Sequence, residues 1–139
     1  MSKQKISLMA LTFKSALAVA AFRAIAGDGA QATAPGQKVV GVSHAAAVAD
    51  ENFAADVIGT TIIETGAAIA INDSLIVDSQ GRAIPSTGAL NIAAGAVAVT
   101  GTAANGAILA GGDMPEYVFA DPLQIASASG QFIEVLLRR

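Results

Sequence analysis

The glycines of this chain set the length of everything between them. Fourteen are spread along 139 residues, and with Asn, Asp and Ser they cut the apolar sequence into short runs. Short runs carrying Val and Ile and bounded by turn formers are strand signals, whereas a helix needs about ten or more uninterrupted residues. The expected fold class is therefore all-β, a small β-barrel or β-sandwich with at most one short helix. A chain of this length fits one domain, which buries roughly 68–70% of the surface its unfolded form exposes.

The apolar content supports thin, closely packed layers. Hydrophobic residues make up 53% of the chain, mostly Ala, Val, Ile and Leu, with five Phe, one Tyr and no Trp. Charged residues make up only 14%, below the roughly 25–35% that keeps an isolated domain soluble. Part of the surface is thus expected to be covered by partners. With no Cys, disulfides, thiolate metal sites and a cysteine nucleophile are excluded.

Charge is unevenly placed. Lys3, Lys5, Lys14, Arg23 and Lys38 face only Asp28 in the first 38 residues, whereas Arg82 stands alone among ten carboxylates from 39 to 137. The acidic body repels phosphate and lacks the clustered cations that counterion release requires, so no nucleic-acid partner is expected.

Two readings compete for the beginning of the sequence. Lys3 and Lys5 ahead of an apolar stretch, with Ala30-Gln31-Ala32 downstream, imitate a secretory signal cleaved near Ala32. That alternative makes the protein a secreted or surface-exposed, adhesin-like binding module. Against it, Lys14 and Arg23 break the stretch into Ile6–Phe13 and Ser15–Phe22. Neither run approaches the ~18–20 apolar residues of a membrane span, and no membrane association is expected. The preferred division is an extended N-terminal arm over 1–14 and one β-barrel-like domain over 15–139. Lys3, Lys5, Ile6, Leu8, Leu11 and Phe13 are the candidate contact residues, since an extended apolar arm pairs with a neighbour's sheet edge.

Along the body, strands are expected at 16–20, 38–43, 54–58, 60–64, 74–77, 82–84, 117–120 and 131–137. Weaker strand patterns occupy 97–100 and 107–110. His44–Asn52 reads as a loop, and Leu123–Ser129 as the one place for a short helix. Asp78-Ser79-Gln80-Gly81 is the clearest turn, with Asp accepting from backbone amides and Gly free to take a positive φ. Asp73, Asp113 and Gly130 are assigned to turns on the same grounds.

No constellation for catalysis emerges. His44, the sole histidine, is expected as a solvated loop residue, and one His cannot supply a usual zinc set. Asp50–Glu51 and Asp113–Glu116 are the only carboxylate pairs for an acid and base, without the aromatic platforms of a sugar site. The Gly-rich stretches lack the Gly-Lys-Ser/Thr ending of a phosphate loop. GAAIAINDSLIVD is similar to the turn of biotinyl and lipoyl carriers, but no lysine follows Lys38 to carry the group. The expectation is a non-enzyme with no cofactor and no metal.

Five segments in order carry a further likeness: GVS at 41–43, the acidic pair Asp50-Glu51, GAAIAINDSLIVDSQGRAIP at 66–85, ANGAILAGGD at 104–113 and ASASGQFIEVLLRR at 126–139. Together they resemble the capsid cement, or head decoration, proteins of tailed bacteriophages, over roughly Ala16 to Leu137. The resemblance implies a β-barrel-like domain, a homotrimer, bound on the outer surface of the virion between major capsid proteins. It implies stabilisation of the expanded head, a stay in the host cytoplasm during assembly, and no catalysis. The Ala/Gly-rich 86–112 segment and the basic arm depart from that pattern.

Overall fold

The computed structural model describes residues 5–86 and 116–138. Eight strands form within them: β1 (Ser7–Lys14), β2 (Ala24–Ile25), β3 (Gly41–Ser43), β4 (Asn52–Glu64), β5 (Leu75–Val77), β6 (Ala83–Pro85), β7 (Ala120–Pro122) and β8 (Phe132–Leu137). No helix occurs among the described residues. The protein is all-β, as expected.

Every strand pair is antiparallel, in the order β2-β3-β4-β8-β7-β5-β6, with β1 added on β4. The long β4 organises the sheet. Its first half pairs with β1 and β3, and Thr60–Glu64 pair with Leu136–Phe132 of β8. The far end of the sheet returns to it: Thr65 bridges Ala83 in parallel, and the Gly66 amide donates to the Ala83 carbonyl at 2.8 Å. The Ala24 amide at β2 donates to the Gly81 carbonyl at 2.8 Å. These links draw the two ends of the sheet together into a nearly closed barrel, with β1 left as an edge strand on β4.

The main core fills that barrel with Val42, Ile63, Leu75, Val77, Phe119, Ile133 and Val135 among others. A smaller core of Val19, Ile25, Ala47, Phe53 and Ala55 lies where β1 meets β4, with Phe13 packed against it. Each fully buried Ile, Leu or Val contributes about 1.5–3 kcal/mol.

The DSQG turn is built as its chemistry demands. Asp78 Oδ1 accepts from the amides of Gln80 and Arg82 at 2.8 and 2.9 Å, its Oδ2 accepts from Arg82 Nε at 2.8 Å, and Gly81 sits at φ 71°. Asp73 Oδ2 accepts from the Ala70 amide at 2.7 Å beside Asn72 at φ 77°. Gly130, at φ 79°, donates its amide to the Thr65 carbonyl.

Several expectations need correction. The first strand is Ser7–Lys14; residues 16–20 contribute only the bridge Val19↔Ala47. The Ala-rich 16–20 segment has Val19 as its one β-branched residue and no aromatic, whereas Ser7–Lys14 supplies Leu, Met, Thr and Phe. Segments 54–58 and 60–64 are one strand running through Gly59. Leu123–Ser129 is not helical: Ala126 and Ile69 exchange backbone hydrogen bonds at 2.9 and 3.0 Å, and the Gln131 side chain accepts from the Ser127 amide. Groups committed to a ladder are lost to a helix. The 97–100 and 107–110 strands, Lys3 and Asp113 lie outside the described residues.

Candidate interaction surface

β1 occupies an unusual position for an apolar strand. Its residues Ser7 to Thr12 are exposed on both faces, with Leu8 73% accessible, and Ile6, Met9 and Leu11 also open. Among the described residues β4 is its only strand partner. From Ile6 to Phe13 it carries no charge that would deter edge pairing. This is the apolar surface the low charge content points to.

The strand is nevertheless tied down at both ends. Thr60 donates its amide to the Ile6 carbonyl at 2.9 Å and accepts from the Ile6 amide on its hydroxyl at 2.9 Å. Gly59, at φ 107°, lets β1 pass where a Cβ would overlap Ile6 and Leu8 backbone atoms. At the other end the Phe13 and Phe53 rings lie 6.0 Å apart, Lys14 Nζ reaches Asp50 at 2.9 Å, and Ser15 is fully buried with its amide on the Glu51 carbonyl.

The arm therefore does not extend freely. Residues 7–14 pair with the chain's own β4, because an apolar strand whose backbone groups are unpaired gains most from the nearest available edge. Lys5 likewise turns inward: its Nζ is 3.0 Å from Oδ2 of Asp56, a residue with no exposed surface. Leu8 and Leu11 remain open as expected, and Phe13 is half-buried.

Asp56 gathers groups from three directions. Thr61 Oγ1 donates to Oδ2 at 2.7 Å, and His44 Nε2 stands 2.5 Å from Oδ1, out of line for a well-formed hydrogen bond. Burial pushes the carboxyl up, but the polar side chains of Ser7, Thr61, His44 and Lys5 set against it outweigh that and hold the group below its ordinary 3.8. His44 is thus not the solvated loop residue expected, but half-enclosed against a buried carboxylate. Asp56 escaped the sequence reading, although a lone carboxylate inside an apolar strand, NFAADVIG, is itself a sign of a buried ion pair.

Three of the four carboxylates in the two pairs make structural contacts, and Asp113 lies outside the described residues. Asp50 takes φ 66° in a turn and pairs with Lys14, while Glu51 accepts from the Val48 amide at 3.0 Å. Glu116 Oε2 accepts from the Ser86 hydroxyl at 2.5 Å. Among the described residues no group of three or more His, Cys, Asp or Glu is arranged to hold a metal ion. A second surface carries a groove of about 660 Å³ with a mixed lining, in which Ile71, Ile125 and Phe132 stand beside Gln124 and Gln131. Phe22 meets Phe132 there edge to face at 5.5 Å.

No family model matches the chain, and no curated protein matches it. Among solved structures it is similar to the N base of the head fiber gp8.5 of bacteriophage phi29, with a TM-score of 0.61 and 17% identity. The match covers 94% of this chain and 93% of that one. The two share a fold along nearly their whole lengths.

Proposed function

We propose that this protein is a structural component of a phage virion that binds the outer surface of the capsid and stabilises the expanded head by bridging major capsid proteins, acting as a homotrimer and not as an enzyme. The observation that carries the reading is the shared fold with a head fiber base, since it spans almost all of both chains. The sequence segments that resemble decoration proteins support it independently.

The surface features suit the role. A bridging protein needs at least two contact regions, and the chain offers β1 and the separate groove at Ile71, Ile125 and Phe132. Lys5 and Lys14 are engaged by carboxylates of the chain itself, so the β1 contact is apolar rather than a basic clamp. A contact of standard size buries roughly 1,600 Å² in total, and several per particle compound through effective concentration.

The secreted alternative fits less well, because Ser15, Val19, Ala24 and Ile25, ahead of the proposed cleavage near Ala32, are core residues. Mixing the purified protein with undecorated phage heads and sedimenting them tests the proposal. The wild type cosediments, and the double variant Leu8→Glu, Leu11→Glu stays in the supernatant while remaining folded. Failure of the wild type to cosediment with heads of its own phage sinks the reading.

A further inference from the structure

One negative charge at Asp56 faces two basic side chains that arrive from the two strands flanking β4. Lys5 comes from the stretch leading into β1, and His44 follows directly on β3. The remaining contacts, Ser7 on β1 and Thr61 on β4, are neutral hydroxyls. No other ion pair to this carboxylate exists among the described residues.

His44 Nε2 stands 2.5 Å from Oδ1 of Asp56, so a charge on the ring falls on the same carboxylate that Lys5 pairs with. With His44 neutral, Lys5 and Asp56 balance. With the ring protonated, two positive charges face one negative, around a carboxylate with no exposed surface to let solvent screen the surplus.

The two cations are equally accessible, at 30% each, but unequally restrained. His44 is fixed by its amide on the Ala54 carbonyl at 3.0 Å, next to the paired residue Ser43. Lys5 is held through its neighbour Ile6, which exchanges two hydrogen bonds with Thr60, and beyond these the pairing of the edge strand is irregular between Ser7 and Ala10. Lys5 is the group that yields.

We propose that His44, Asp56 and Lys5 form a proton-operated latch on the first strand, in which protonation of His44 weakens the hold of Asp56 on Lys5 and loosens residues 5–10 from the sheet. Protonation of Asp56 at lower pH removes the hold altogether. The second half of β1 stays in place, pinned by Phe13 on Phe53 and by Ser15. The latch concerns the position of β1 and stands independently of what β1 contacts.

The absence of Cys makes the test direct. A nitroxide label is placed on Leu8→Cys, and in a second protein on Ile125→Cys, which is 72% exposed and lies between β7 and β8. Electron paramagnetic resonance spectra of the full chain are followed from pH 8 to pH 3, with circular dichroism recording the fold. The mobile component at position 8 rises several-fold in two steps, while the label at 125 is unchanged through the first. In His44→Gln the first step vanishes. In Lys5→Met, which leaves the buried carboxylate in place, the label at position 8 is already mobile at pH 8 and the first step is absent. A label at position 8 that stays ordered until the whole domain unfolds overturns the latch, as does a first step that survives in His44→Gln.

Discussion

The backbone of Ile6 lies so close to Gly59 that a Cβ on that glycine would overlap the Ile6 carbonyl oxygen. The approach is possible only because residue 59 has no side chain, and its φ of 107° is one that other residues rarely adopt. Gly59→Ala is expected to push β1 away from β4 and to destabilise the protein by about 2 kcal/mol or more, from strain and lost pairing together. Urea denaturation compared with wild type measures the loss. An unchanged midpoint would mean that the crossing is not tight in solution.

The Asp56 carboxyl makes stability depend on acid. Its value in the folded protein is lowered from 3.8, so the unfolded chain binds the proton more readily. The corresponding stability is fully present above the unfolded value and is lost as pH falls through the lowered folded value. Denaturation midpoints between pH 6 and pH 2.5 are expected to drop along this limb, and Asp56→Asn, less stable at neutral pH, is expected to show a flatter decline.

Asp78 holds the β5–β6 turn through two backbone amides and Arg82 Nε. Asp78→Ala leaves those donors without their acceptor and is expected to cost about 1–3 kcal/mol. Asp78→Asn, which keeps one acceptor oxygen, recovers part of that loss. Thermal unfolding of the pair separates turn capping from bulk charge.

Side chains of similar chemistry at different depths should diverge. Ile63, fully enclosed in the barrel, is expected to lose about 2–5 kcal/mol on Ile63→Ala. Ile125→Ala, at an open position, is expected to stay within about 0.5 kcal/mol of wild type. If the groove at Ile125 is a contact in the assembled particle, that second variant loses oligomer or head binding without losing its fold.

Legibility in the sequence followed how local each interaction is. The DSQG turn was readable because donors and acceptors lie within four residues of one another. The closing strand Phe132–Leu137 was readable from its own β-branched and aromatic content. The long β4 was read as two pieces, since Gly59 marks a turn in most strands and here marks the crossing of β1. The destination of Lys5 was not readable, because Asp56 lies far along the chain and only the pairing of β1 with β4 brings them together. His44 lies nearer to Asp56 in sequence, but its Ala-rich surroundings give no hint of the carboxylate it faces.

The pairing of β1 alongside β4 has a mechanical consequence. Antiparallel strands pulled along their length share the load among all their cross-links at once, in shear, whereas strands peeled from one end yield link by link. Because β4 passes the strain on to β8 at Thr60–Glu64, a tug on Ser7–Lys14 along the strand is spread into the barrel wall. Force applied along β1 is therefore expected to meet more resistance than force that peels the strand from its Lys5 end.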